Sequence, residues 1–274
     1  MHKARQSLQS RVMKDTLGFI PKGAIFDIDD TLLDNNPAIP TEGLHERSRL
    51  AAAHEVGKKY GIQTLIDLTP QENLDAFLNA PVHSLDAAVW QLLLMTSVAD
   101  STVINPDHSL LQEIVRRKNE LHVDILLRDG KEVPGASAFV RTLAANGLEG
   151  KLAIASTAIR RDIELFLGKM DLRSLFKDHQ IVAREDIVHP KPHPEPYLKA
   201  FTSLNVSEAD RQFICAFEDD PRGVMSAKAA GLFTCAITTR FSKADLQQLE
   251  VAPDLIAESY AEFSDIFGLA STQQ

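Results

Sequence analysis

Two cysteines, one tryptophan and three tyrosines in 274 residues narrow the choice of protein class. Cys215 and Cys235 both lie in apolar, strand-like stretches, the usual setting of a buried reduced thiol, so a disulfide framework is not expected. No stretch approaches the ~18 consecutive apolar residues that a membrane span needs. Lys and Arg form no block or stripe, and the formal net charge is -9, which disfavours nucleic acid and other polyanions as partners. The opening segment, MHKARQSLQSRVMKDTLGF, is basic but lacks the apolar core of a signal peptide, so a cytoplasmic location is the expectation. Internal repeats and low-complexity tracts are absent as well. What remains is an ordinary globular composition, 44% hydrophobic and 24% charged, long enough for one large domain or two modest ones.

Short apolar runs recur at residues 23–28, 151–156, 180–183, 213–217 and 233–238, and each reads as a strand buried on both faces. Amphipathic segments separate them, at 136–146, 160–170, 194–204 and 223–230. This alternation predicts a doubly wound α/β domain with a parallel, Rossmann-like sheet. Pro134-Gly135 opens one helix, Asn146-Gly147 closes it, and Gly231 follows another as a C-terminal cap. From about residue 34 to 131 the pattern changes to helical periodicity alone. "TPQENLDAFLNA" carries Thr69 as N-cap with Glu72 three residues on, the spacing of a capping box. The expected division is therefore a core of residues 19–34 and 131–274, an all-helical insert over 35–130, and an N-terminal extension over 1–18. Residues 1–18 and the final "ASTQQ" are expected to fray. An insert entering at a strand's C-terminal end sits where open α/β sheets bind ligands.

The first strand runs into "FDIDDTLLDNN", which places Asp27, Asp29, Asp30 and Asp34 close together. Period-two alternation puts the side chains of Asp27 and Asp29 on one side if the strand stays extended. The second strand ends in "IASTA", where Ser156 and Thr157 offer hydroxyls before a helix whose N-terminus can hold an anion. After the third comes "VHPKPHPEPY", with Lys191 fixed between Pro190 and Pro192. The fourth ends in "FEDDPRG", adding Glu218, Asp219 and Asp220. Carboxylates ~4 Å apart repel by about 4 kcal/mol at an effective dielectric near 20. A hard dication removes that penalty, and Mg2+, which takes one or two carboxylates plus phosphate oxygens, suits this set. Phosphoryl transfer to one carboxylate, with a second moving protons, is the chemistry these groups fit.

"DIDDTL", "ASTA", "PKPHPEPY" and "FEDDPRGVMSAKAAG" resemble, in order, the four signature motifs of the haloacid dehalogenase superfamily, and the insert resembles the helical cap of its β-phosphoglucomutase and phosphoglycolate phosphatase branch. The resemblance covers about residues 20–240. It implies Asp27 as nucleophile, Asp29 as general acid/base, and Ser156, Thr157 and Lys191 around the phosphoryl group. It also implies Mg2+ held by Asp27, Glu218, Asp219 and the Asp29 backbone carbonyl, with Thr31 holding the first loop. Asp30 departs from the pattern, since this branch usually has Gly there. Extra residues separate Asp34 from His45, so the resemblance carries no cap role over to His45, and Asp220 is open between a partner of Lys191 and an outer metal ligand.

The bland alternatives are turn-forming acids, a capping Ser156, solvent-exposed His189 and His193, and Trp90 in the core of the insert. The implied function is an Mg2+-dependent phosphatase acting on a small phosphorylated metabolite, a sugar phosphate above all, through an aspartyl-phosphate. A phosphomutase is the alternative. Phosphonate cleavage would require a desolvated cap lysine, and nothing marks Lys58 or Lys59 as one. A phospho-accepting receiver would carry its phosphorylated Asp on a middle strand and lack the insert.

Overall fold

The computed structural model describes residues 17–35, 39–81 and 84–269. Most of the expected N-terminal extension, the last five residues and part of the stretch after Asn35 lie outside the described residues.

The chain divides into two units, one taking the residues up to Asp34 and from Lys131 on, the other Asn35–Gly130. In the first, six strands form one parallel sheet. In chain order the strands are β1 (Gly23–Phe26), β2 (Leu33–Asp34), β3 (Lys131–Glu132), β4 (Leu152–Ala155), β5 (Ile181–Val182), β6 (Ile214–Glu218), β7 (Phe233–Ile237) and β8 (Leu255–Ala257). The sheet order is β5-β4-β1-β6-β7-β8, with every pairing parallel. β2 and β3 form a separate antiparallel pair. β1 thus sits at the topological switch, between β4 and β6, where open sheets gather their ligand-binding tips.

Every residue of β1, β4 and β6 is buried, as expected for strands covered by helices on both faces. Successive side chains point to opposite faces, and the core divides accordingly. Ile25 and Ala216 join Tyr197, Ala200 and Phe201 of the helix Glu195–Ser203. Phe26 stacks on Phe217 with ring centroids 4.7 Å apart, and Phe139 and Phe263 each meet Phe217 edge-on at 5.3 Å. Edge-to-face aromatic pairs add to the burial of the rings themselves.

The second unit is helical, with helices Leu44–Tyr60, Gln63–Ile66, Pro70–Leu78, Leu85–Met95 and Ser109–Asp129. Ala52, Val56, Leu65, Leu92, Leu93 and Ile114 form its core together with Trp90, whose indole N–H donates to the Ser101 carbonyl. The Thr69 box is present in both directions: the Glu72 N–H donates to Thr69 Oγ1, and the Thr69 N–H to the Glu72 carboxylate.

The sequence reading misses three strands. β2 and β3 are two-residue pieces carrying charged residues, and β8 is three residues long and only partly buried, so none of them forms the buried apolar run that marks the two-residue β5. With β8 goes the helix Tyr260–Ile266, whose Phe263 completes the aromatic cluster. Phe139 touches Phe217, Tyr260, Phe263 and Phe267, so Phe139→Ala is expected to cost the sheet unit about 3–5 kcal/mol in urea unfolding. A loss below about 1 kcal/mol would contradict this account of the core.

Candidate active site

Register decides which side chains meet. Phe26 is paired with Phe217, and the ladder runs one step further through the Asp27 N–H, which donates to the Phe217 carbonyl at 3.1 Å. Asp27 therefore leaves β1 at the level where Glu218 ends β6. Lys191 joins them from the loop after β5. Its Nζ donates to Asp27 Oδ1 at 2.6 Å and to Glu218 Oε1 at 2.5 Å, with only 9% of its side chain exposed. The Lys191–Pro192 peptide is cis. Tyr197 donates its hydroxyl to the same Glu218 oxygen at 2.6 Å, and its ring lies 5.0 Å from the Lys191 ammonium. Burial raises the Tyr197 pKa, so its proton stays available for that bond.

Asp219 follows Glu218 and is 1% exposed. Its Oδ1 accepts from Thr31 Oγ1 at 3.1 Å, which ties β6 to the loop after β1, while its Oδ2 is buried with no hydrogen-bond partner among the described residues. That loop is braced again by the Tyr260 hydroxyl, which donates to the Thr31 carbonyl at 2.9 Å. Thr31 thus holds the first loop, as the resemblance implies.

The charges are costly as they stand. Burial pushes the Asp27 carboxyl up to about 8, with Lys191 pulling it down and Glu218 and Asp29 pushing it further. Asp219 is raised by burial and by Glu218, Asp27 and Asp30, against the pull of Arg240. Burial works against the Lys191 ammonium, but Asp27 and Glu218 outweigh it and raise its pKa. Asp27, Glu218 and Asp219 each present an oxygen within 4.8 Å of the others. Three buried carboxylates this close, one with an oxygen that accepts no hydrogen bond among the described residues, fit a hard divalent cation.

The remaining expected residues lie as follows. Asp29 is half-buried, at an isolated bridge with Leu33. Ser156 is buried beyond the tip of β4, its Oγ accepting the Ala158 N–H at 3.1 Å, and Thr157 is exposed. Ser156 is not the cap of the next helix, because Ile159 occupies that position with no side-chain bond. The N-terminus of that helix already holds an anion, since the Arg160 N–H donates to the Glu185 carboxylate at 3.0 Å. Asp220 is neither a partner of Lys191 nor in the carboxylate triad. It caps the helix Pro221–Ala229 and binds the Arg222 guanidinium twice at 3.0 Å, which holds its carboxyl low although burial opposes this. His189 and His193 are exposed, with His189 Nδ1 3.0 Å from a Glu195 oxygen. Lys58 and Lys59 are exposed too. His45 lies in the helical unit, stacked on His122 with its Nδ1 3.0 Å from the Lys118 ammonium.

Two contributors escape the sequence reading. Tyr197 was available as the last residue of the quoted "PKPHPEPY". Gly223 was available in "FEDDPRG", but its reason is steric and only tertiary structure reveals it. A Cβ at 223 would lie 2.0 Å from the Glu218 carboxyl carbon and 2.1 Å from both its oxygens. The Glu218 carboxylate rests on the bare Cα of the helix's first turn. Gly168, exposed in the helix Arg160–Lys169, meets nothing within 4 Å. In an open helical site Gly→Ala stabilises by up to about 1 kcal/mol. Gly168→Ala is expected to raise the thermal midpoint and Gly223→Ala to lower it, and a rise in both would contradict the packing of Glu218.

Comparisons with known proteins bear on the family and the fold. The family model for haloacid dehalogenase-like hydrolases matches residues 24–237. Pyrophosphatase PpaX of Anoxybacillus flavithermus is 26% identical over 249 residues, spanning 90% of this chain and 97% of that protein. Glycerol-1-phosphate phosphohydrolase 2 of Saccharomyces cerevisiae is 31% identical over 150 residues, 52% of this chain and 57% of that protein. A solved structure, a putative beta-phosphoglucomutase from Thermotoga maritima, shares the fold with a TM-score of 0.63 at 21% identity, covering 90% of this chain and 99% of that one. With four motifs in order at adjoining strand tips and a family match over most of its length, the chain belongs to the haloacid dehalogenase-like hydrolases.

Proposed function

We propose that the protein is an Mg2+-dependent phosphatase that hydrolyses a small phosphorylated metabolite, a sugar phosphate, through an aspartyl-phosphate on Asp27. The observation that carries this reading is Lys191 Nζ set between Asp27 and Glu218, two members of a buried carboxylate triad whose third, Asp219, has an oxygen that accepts no hydrogen bond among the described residues.

An Asp27 carboxylate oxygen attacks phosphorus while the substrate's bridging oxygen departs. Burial opposes the ionised form that this requires. Lys191 pulls the other way without fully offsetting burial, a dication held by the same carboxylates would favour the ionised form further, and the ammonium is placed to draw the phosphoryl oxygens to the same spot. Ser156 Oγ already accepts one hydrogen bond, which leaves its own proton to donate to a phosphoryl oxygen. Thr157, one residue on, offers a second hydroxyl. Asp29 gives its proton to the leaving alkoxide, then takes one from the water that attacks phosphorus in the acyl phosphate, breaking its P–O bond to Asp27 and releasing phosphate. Asp27, Glu218, Asp219 and the Asp29 backbone carbonyl would hold the Mg2+. Bound there, the ion supplies positive charge for the transferring phosphoryl group. The activities for which the relatives are named, on pyrophosphate and on glycerol-1-phosphate, support phosphoryl transfer to water from a small molecule. The second of these, a phosphorylated polyol by name, favours a sugar-like substrate.

Phosphate release is to be measured over a panel of sugar phosphates, glycerol phosphate and pyrophosphate. Asp27→Asn is expected to lose at least ~10³-fold in kcat, and a variant within tenfold of the wild type would remove Asp27 from its role. Chelation of Mg2+ is expected to stop release and its readdition to restore it. Undiminished release under EDTA would overturn the cation assignment.

A further inference from the structure

The inference here rests on the cation reading above and concerns two residues that it leaves unused. The acids around the strand tips are shared among three cations. Lys191 faces Asp27 and Glu218, and Arg222 holds Asp220 by two hydrogen bonds. Arg240, in the loop after β7, faces Asp30 and Asp219. Its Nε is 3.5 Å from Asp30 Oδ2, and its Nη1 is 4.0 Å from Asp219 Oδ2 and 3.5 Å from Asp220 Oδ2. These are charge contacts longer than a good hydrogen bond. The Asp219 oxygen that Arg240 faces is the buried one with no hydrogen-bond partner among the described residues. A guanidinium therefore sits beside an oxygen suited to hold a dication, drawn there by charge more than by directed bonds.

Asp30 is the other half of the arrangement. Its φ is +58°, a left-handed conformation that glycine adopts without cost and an Asp adopts at some cost. Its carboxylate is nonetheless buried and turned toward Arg240, and its carbonyl accepts the hydroxyl of Thr239, the neighbour of Arg240. Both members are thus tied to the rim of the carboxylate triad, and they carry opposite charge.

We propose that Asp30 and Arg240 form an opposed charge pair that sets the affinity of the divalent-cation site, Arg240 weakening it and Asp30 strengthening it. A fixed positive charge within a few ångströms of a dication repels it, and a fixed negative charge attracts it; Asp30 is buried, while the Arg240 side chain is 35% exposed, so solvent screens its share in part but not wholly at this distance. With the cation gone, Arg240 also gives Asp219 a counter-charge, so the emptied site remains tolerable to the fold.

The test is calorimetric titration of Mg2+ into the full-length protein, with no substrate and no turnover. Arg240→Met is expected to tighten Mg2+ binding at least threefold, and Asp30→Asn, which tolerates the positive φ, to weaken it at least threefold. The double variant should return to within twofold of the wild type, and Arg240→Lys, which keeps the charge, should stay within twofold. A role in shape alone would weaken binding in both single variants. Unchanged or weaker binding in Arg240→Met, or a change in Arg240→Lys as large as in Met, overturns the proposal while leaving the cation site standing. A wild-type protein that takes up no Mg2+ overturns the cation reading itself, and this inference with it.

Discussion

The first unit is organised around one electrostatic constraint: three carboxylates are buried at the tips of two adjacent strands, and one ammonium is buried between them. Asp27 and Glu218 are neighbours because β1 and β6 are parallel and in register through Phe26 and Phe217. That register is itself fixed by packing, since a one-residue slip would turn Phe26 and Phe217 out of the aromatic cluster. The hydrophobic core and the charged site are therefore parts of a single arrangement. Apolar rings set the register, and the register sets the distance between the acids.

Around that constraint the fold places supports that are not themselves acids. Tyr197 comes from the helix that covers one face of the sheet, and its hydroxyl reaches the same Glu218 oxygen as Lys191. Tyr260 lies next to the opposite aromatic face and braces the loop that carries Thr31. Gly223 makes room for the Glu218 carboxylate by having no side chain. Each acts through shape and hydrogen bonding on a group whose charge makes a wrong position costly. The paired exception is Asp30 with Arg240, where charge answers charge at the rim of the site.

Much of this was legible in the residues. The parallel α/β alternation, the helical character of 35–130 and the Thr69 capping box follow from periodicity and turn chemistry, and β1, β4, β5, β6 and β7 fall where apolar runs predict them. Asp27, Lys191, Glu218 and Asp219 could be picked out as one set because four strand ends carried charged or hydroxyl groups in a recognisable order. Elements without periodicity were not legible. β2 and β3 carry charged residues and β8 is only partly buried, so unlike the two-residue β5 they lie in no buried apolar run, and the helix Tyr260–Ile266 went unseen with β8. The surroundings of single groups were hidden too. Asp220 looked like a third acid of the site, yet it caps a helix and is held by Arg222. The helix after Ser156 looked open to an anion, yet Glu185 fills its end.

The sequence by itself determined which chemical groups stand at the strand ends and in what order, because buried runs and the breaks that end them are local properties of the chain. Tertiary structure alone decided which of those groups touch. Lys191 lies 164 residues from Asp27 along the chain, and Thr31 lies 188 from Asp219. Strand order and register bring such partners within hydrogen-bond reach, and both depend on packing between segments that no local pattern encodes.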